Sequence, residues 1–126
     1  MEGRFSQEGE PIINLKVYNP FKSKSETLSF LIDTGFAGGI LLPFEVYLKL
    51  GLQLCEELKS KGRLATGFEV ELRTSKAILV INGEEILCTA YTTLGVMKPL
   101  IGRELLKKTT LKYEPKNGKL ELDLDP

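Results

Sequence analysis

Apolar and polar residues alternate along much of this chain, with the two-residue period of extended strands rather than the 3.6-residue period of helices. From Ile13 the stretch Ile13-Asn14-Leu15-Lys16-Val17-Tyr18 alternates strictly, so residues 11–18 are predicted as a half-buried strand, broken by Asn19-Pro20. A polar turn over 22–26 leads into a second strand, 27–32, which runs straight into Asp33. Pro43 suits the first turn of a short helix over 44–50, closed by Gly51. From 63 to 93 the pattern is extended again. Phe68-Glu69-Val70-Glu71-Leu72 alternates, and Ala77-Ile78-Leu79-Val80-Ile81 is a continuous apolar run of the buried-strand type. Asn82-Gly83 marks a hairpin, because both central residues of a type I′ turn take positive φ, and residues 85–93 form the return strand. Leu100-Ile101 reads as a buried strand end, followed by a short helix over 102–108. A last hairpin joins 111–113 to 119–122 through a loop containing Asn117-Gly118. The expectation is an all-β, barrel-like fold with one or two short helices, spanning 1–126 as a single domain.

Composition narrows the function classes. Hydrophobic residues at 42% and charged residues at 27% fit a soluble globular protein and argue against disorder. Seventeen basic residues balance seventeen acidic ones, so no global field favours nucleic acid or an anionic membrane. The densest basic stretch, Lys59-Ser60-Lys61-Gly62-Arg63, reads as a solvated loop. No apolar run approaches the roughly 20 residues that span a bilayer, and residues 1–10 lack the apolar core of a signal peptide. A cytoplasmic protein is expected. Cys55 and Cys88 sit in no metal-binding spacing and read as buried free thiols in a reducing cytoplasm. Histidine is absent, which argues against Ser-His and Cys-His nucleophiles and the usual zinc sites. Chemistry is left to carboxylates, lysines, hydroxyls and thiols.

Among these, Asp33-Thr34-Gly35 stands out, at the end of the apolar Phe30-Leu31-Ile32. Glycine without a Cβ allows a tight turn and close approach of backbone N–H groups to the carboxylate, and such bonds favour its ionised form. Taken alone, an Asp-Thr-Gly tripeptide is most often just a turn. Gly38-Gly39 reads as a flexible turn after it, since no phosphate-cradling glycine pattern is present.

Three segments in order carry a family resemblance. Leu31-Ile32-Asp33-Thr34-Gly35 is similar to the hydrophobic-hydrophobic-Asp-Thr-Gly signature of the retropepsin-like aspartic proteases. Thr66-Gly67-Phe68 and the hairpin after it look like that family's flap, although Gly67 also suits an ordinary bulge or hairpin. Leu100-Ile101-Gly102-Arg103-Glu104-Leu105-Leu106 resembles the hydrophobic-hydrophobic-Gly strand followed by Arg-x-Leu-Leu in a helix. This last segment speaks for the fold more than for catalysis.

The resemblance implies an aspartic endopeptidase acting on peptide or protein substrates, with no cofactor and no metal. Asp33 would be catalytic, Thr34 and Gly35 would complete its loop, Ala65, Thr66 and Gly67 would form the flap, and Phe36 and Ala37 would line the substrate cleft. The active loop departs from the retroviral pattern, in which Ala and then acidic residues follow Asp-Thr-Gly and the first acid pairs with the helix arginine. Here Phe36-Ala37-Gly38 follows, so Arg103 lacks that carboxylate and reads as a structural or dimer-contact residue. The loop is closer to the Asp-Thr-Gly-Phe form of cellular and microbial members. Because the chain has one Asp-Thr-Gly and no Asp-Ser-Gly, the two carboxylates of this chemistry imply a homodimer with one Asp33 from each copy. Two other readings stay open: a retropepsin-fold dimer serving as a binding or assembly module without catalysis, and an unrelated β-barrel in which Asp33 is a turn residue.

Overall fold

The computed structural model describes residues 1–56, 60–63 and 69–124. It contains ten strands: β1 (Arg4–Phe5), β2 (Pro11–Tyr18), β3 (Ser25–Ile32), β4 (Ile40–Leu41), β5 (Ser60–Arg63), β6 (Glu69–Ile81), β7 (Glu84–Thr92), β8 (Leu100–Ile101), β9 (Thr109–Glu114) and β10 (Lys119–Leu124). Two short helices, α1 (Phe44–Lys49) and α2 (Arg103–Leu106), and two single 3₁₀ turns, Leu52–Leu54 and Pro115–Asn117, complete it. Among the described residues no helix is long and apolar enough to cross a membrane.

The alternation over β2 becomes a burial pattern. Ile13, Leu15 and Val17 are buried, whereas Asn14 and Lys16 face solvent. β2 pairs antiparallel with β3 along most of its length and, over Lys16–Tyr18, with β6 on its other side. That second pairing closes a ring, β2-β3-β8-β4-β7-β6 and back to β2, with β1 and β5 attached outside it. Inside lie Phe30, Ile32, Leu79, Ile81, Ala90 and Ile101, capped by Tyr47 from α1 and Leu50 just after it. The hairpin of β9 and β10 contributes Leu120 and Leu122 to the same core. It is fastened to the chain start by Gly3 N–H to the Leu120 carbonyl and Leu122 N–H to the Met1 carbonyl, each at 2.8 Å.

Several elements differ from the sequence reading. β3 begins at Ser25 because the turn before it is tightened around Asn19, whose side chain bonds Ser23 and the Leu50 carbonyl. α2 stops at Leu106, and Thr109 hydroxyl caps the Leu106 carbonyl as β9 begins. β1, β4, β5 (where residues 59–63 read as a solvated loop) and the 3₁₀ turn at Leu52–Leu54 were not anticipated. Asn82 and Gly83 do adopt positive φ, 53° and 82°, as the type I′ reading requires.

One feature of the topology positions the site. β8 lies between β3 and β4, parallel to the first and antiparallel to the second. The segment from Asp33 to Gly39, which links β3 to β4, must therefore arch over the end of β8, where α2 starts.

Candidate active site

Asp33 leaves the end of β3 half-buried, its N–H bonded to the Ile101 carbonyl at 2.9 Å. One carboxylate oxygen accepts the Gly35 N–H at 2.8 Å, so the loop turns back on its own acid. Phe36 N–H closes the turn on the Asp33 carbonyl at 3.2 Å. Thr34, Gly35 and Ala37 are exposed.

The rest of the loop is held by the start of α2. Arg103 N–H donates to the Phe36 carbonyl at 2.8 Å, Glu104 N–H to the Gly38 carbonyl at 3.2 Å, and Gly102 N–H to the Gly39 carbonyl at 2.9 Å. A helix start leaves N–H groups unsatisfied, and α2 has no side-chain cap. The loop after Asp33 supplies the acceptors instead. Arg103 adds its guanidinium, donating from Nη1 to the Thr34 carbonyl at 3.2 Å. The arginine that lacks an acidic partner in the sequence thus binds a backbone carbonyl of the residue next to Asp33.

This close docking needs bare backbone. A Cβ on Gly102 would meet the Phe36 carbonyl oxygen at 2.6 Å and also strike the Gly38 carbonyl. On Gly38 it would lie 2.7 Å from both the Phe36 and Tyr91 rings. Gly38 and Gly39 are buried, in contrast to the flexible turn read from sequence. Phe36 is half-buried with its ring edge-on to Tyr91, the centroids 5.8 Å apart and the planes at 88°. Tyr91, on β7, donates its hydroxyl to Glu104 Oε2 at 3.3 Å. Sequence reasoning missed both Tyr91 and Glu104. Alternation around buried Ala90 and Thr92 points Tyr91 outward, but nothing local tells what it meets.

Ala65, Thr66 and Gly67, the expected flap residues, lie outside the described residues. The strands on either side, β5 and β6, pair antiparallel with Arg63 opposite Glu69. Leu94 and Met97 are two exposed apolar side chains that sequence reading passed over. They are 77% and 86% exposed, on the loop that leads into β8. That loop is moored to β3 by Leu31 N–H bonding the Pro99 carbonyl at 2.9 Å.

Comparison with solved structures decides the architecture. A retropepsin-like aspartic protease from Rickettsia conorii superposes with a TM-score of 0.74 over 98% of this chain and 89% of the other, at 21% identity. The fold is that of the retropepsin-like aspartic proteases. EIAV protease, solved in complex with an inhibitor, matches this retropepsin-like fold with a TM-score of 0.59 at 19% identity, over 82% of this chain and 90% of its own. No family model and no curated protein matches the sequence significantly.

Proposed function

We propose that this chain is an aspartic endopeptidase that works as a homodimer, with Asp33 from each copy forming the catalytic pair. The observation that carries the reading is a single Asp-Thr-Gly loop, braced by α2, in a fold shared with two proteases. One carboxylate of such a pair, ionised, draws a proton from water. The other, protonated, hydrogen-bonds the scissile carbonyl. Two carboxyl groups held about 3 Å apart cannot both ionise, so the pair shares one proton and activity is expected at acidic to mildly acidic pH. Thr34, Gly35 and Ala37 stand exposed where a second loop could approach closely. The flap role of Ala65, Thr66 and Gly67, and the single-domain extent 1–126, belong to the same proposal.

Digestion of a peptide library by the wild type beside Asp33→Asn tests it. Asn keeps an acceptor for the Gly35 N–H but cannot serve as a base. The variant should lose at least roughly a thousandfold in rate while keeping its fold. Wild-type activity in Asp33→Asn would remove Asp33 from the chemistry. A folded wild type that cleaves nothing and ignores inhibitors mimicking the tetrahedral intermediate would leave the fold as a binding module.

A further inference from the structure

Phe36 is held in place by residues on other elements as well as by its own loop. Its ring fills a recess whose floor exists only because Gly38 and Gly102 lack side chains, and Tyr91 forms the wall. Tyr91 is fixed at both ends. Its backbone carbonyl accepts the Leu42 N–H at 2.9 Å in the β4–β7 pairing, and its hydroxyl reaches Glu104 Oε2 at 3.3 Å. Glu104 in turn donates its N–H to the Gly38 carbonyl, on the loop itself. The circuit therefore runs from loop to α2 to β7 and back to the loop through two aromatic rings.

We propose that Tyr91 is a positioning residue for the Asp33 loop, with Glu104 orienting its ring so that Phe36 is clamped and the loop carbonyls stay aligned on α2. The inference rests on the reading of Asp33 as catalytic for its kinetic consequence, but not for its structural one. A ring wedged edge-on resists displacement in a way a flexible aliphatic side chain does not. Small displacements of a reacting group cost up to roughly a hundredfold in rate. The clamp stands where the sequence offers Arg103 no acidic partner, and it ties the same loop at Phe36 that Arg103 ties at Thr34.

The test compares Tyr91→Leu, Tyr91→Phe, Glu104→Leu and Glu104→Gln by peptide hydrolysis and by amide hydrogen exchange. Tyr91→Leu should lower kcat roughly ten- to a hundredfold with KM within about twofold. Tyr91→Phe and Glu104→Leu should each show a smaller loss, and their double variant no more than either alone, because both break one bond. Glu104→Gln keeps an acceptor for the hydroxyl and should stay near wild type. In Tyr91→Leu the amides of Phe36, Arg103 and Glu104 should exchange about tenfold faster, with those of β2 and β3 unchanged. Uniform acceleration across the barrel would make Tyr91 a general stability residue and overturn the proposal. So would unchanged loop amides, or additive losses in the double variant. If the wild type hydrolyses nothing, the protease reading fails, and the exchange pattern still decides whether the clamp exists.

Discussion

Gly102 shows how much of the site depends on atoms that are missing. Its position between the Phe36 and Gly38 carbonyls leaves no room for a methyl group. Those carbonyls cannot retreat without releasing Arg103 and Glu104 N–H. Gly102→Ala should therefore cost about 1–3 kcal/mol of stability, the usual range for overpacking, measurable by denaturant titration. A change within about 0.5 kcal/mol, that of an ordinary surface substitution, would mean the loop accommodates it freely. Burial acts on titrating residues in a different way. It pushes the Cys88 thiol up to about 12, helped by the negative charge of Glu104. Burial, and then the Glu56 carboxylate it bonds, raise the Tyr47 phenol as well. Both groups lose their protons more readily in the unfolded chain. Their contribution is thus complete below about pH 9 and is lost as pH rises toward 12. Unfolding midpoints should fall steadily between those limits, and less steeply in Cys88→Ala. A flat profile would contradict the burial of both groups. At pH 8 alkylation should reach half-buried Cys55 well before Cys88.

At the scale of elements, β6 divides at Arg73. From Arg73 to Ile81 it pairs with β7, and from Leu72 back to Glu69 it pairs with β5 alone. A clamp sits at this fork. Arg73 donates to both oxygens of Glu56, Nε at 2.6 Å and Nη2 at 2.9 Å, while Tyr47 hydroxyl donates to Glu56 Oε2 at 2.9 Å. The Arg73 guanidinium also lies 5.7 Å from the centre of the Phe44 ring. Bidentate pairs with a further bond outrank ordinary surface bridges, so Glu56→Leu should cost about 2 kcal/mol and speed exchange at Leu72 and Arg73 before the rest of β6. Equal exchange along the whole strand would deny the fork. Of the strands that meet here, the sequence announced β6 and β7, because a half-buried strand writes its burial into alternate residues, as β2 does, but it read β5 as a solvated loop. It also announced the Asn82-Gly83 turn, whose chemistry is local. It was silent on β1 and β4, since two residues have no period. It was equally silent on the parallel pairing of β3 with β8, which joins Leu31 to Leu100. Asp33 was legible through a motif and Arg103 by position. The carbonyl that Arg103 holds, and the Tyr91–Glu104 bond, exist only once that distant pairing brings α2 beneath the loop.

For the whole molecule, the proposed chemistry turns on how many Asp33 carboxylates it needs. The chain has one Asp-Thr-Gly loop, and its own barrel is closed around a core that offers the loop no second copy of that motif. If the pair forms across a two-fold axis, a chain carrying Asp33→Asn can occupy half of a dimer and silence its partner. Wild type unfolded together with a threefold excess of Asp33→Asn and refolded should then distribute at random. Only about one-sixteenth of the dimers would hold two carboxylates, and activity per wild-type chain should fall to about one quarter. Asn also removes the repulsion between two like charges, so mixed dimers should form at least as readily and push the activity lower still. Thr34→Ala in the same mixture serves as the control. If exposed Thr34 supports association alone, any loss should recover at higher protein concentration. Activity per wild-type chain that stays constant as Asp33→Asn is added would mean that one Asp33 suffices, and the shared dyad would fall with it.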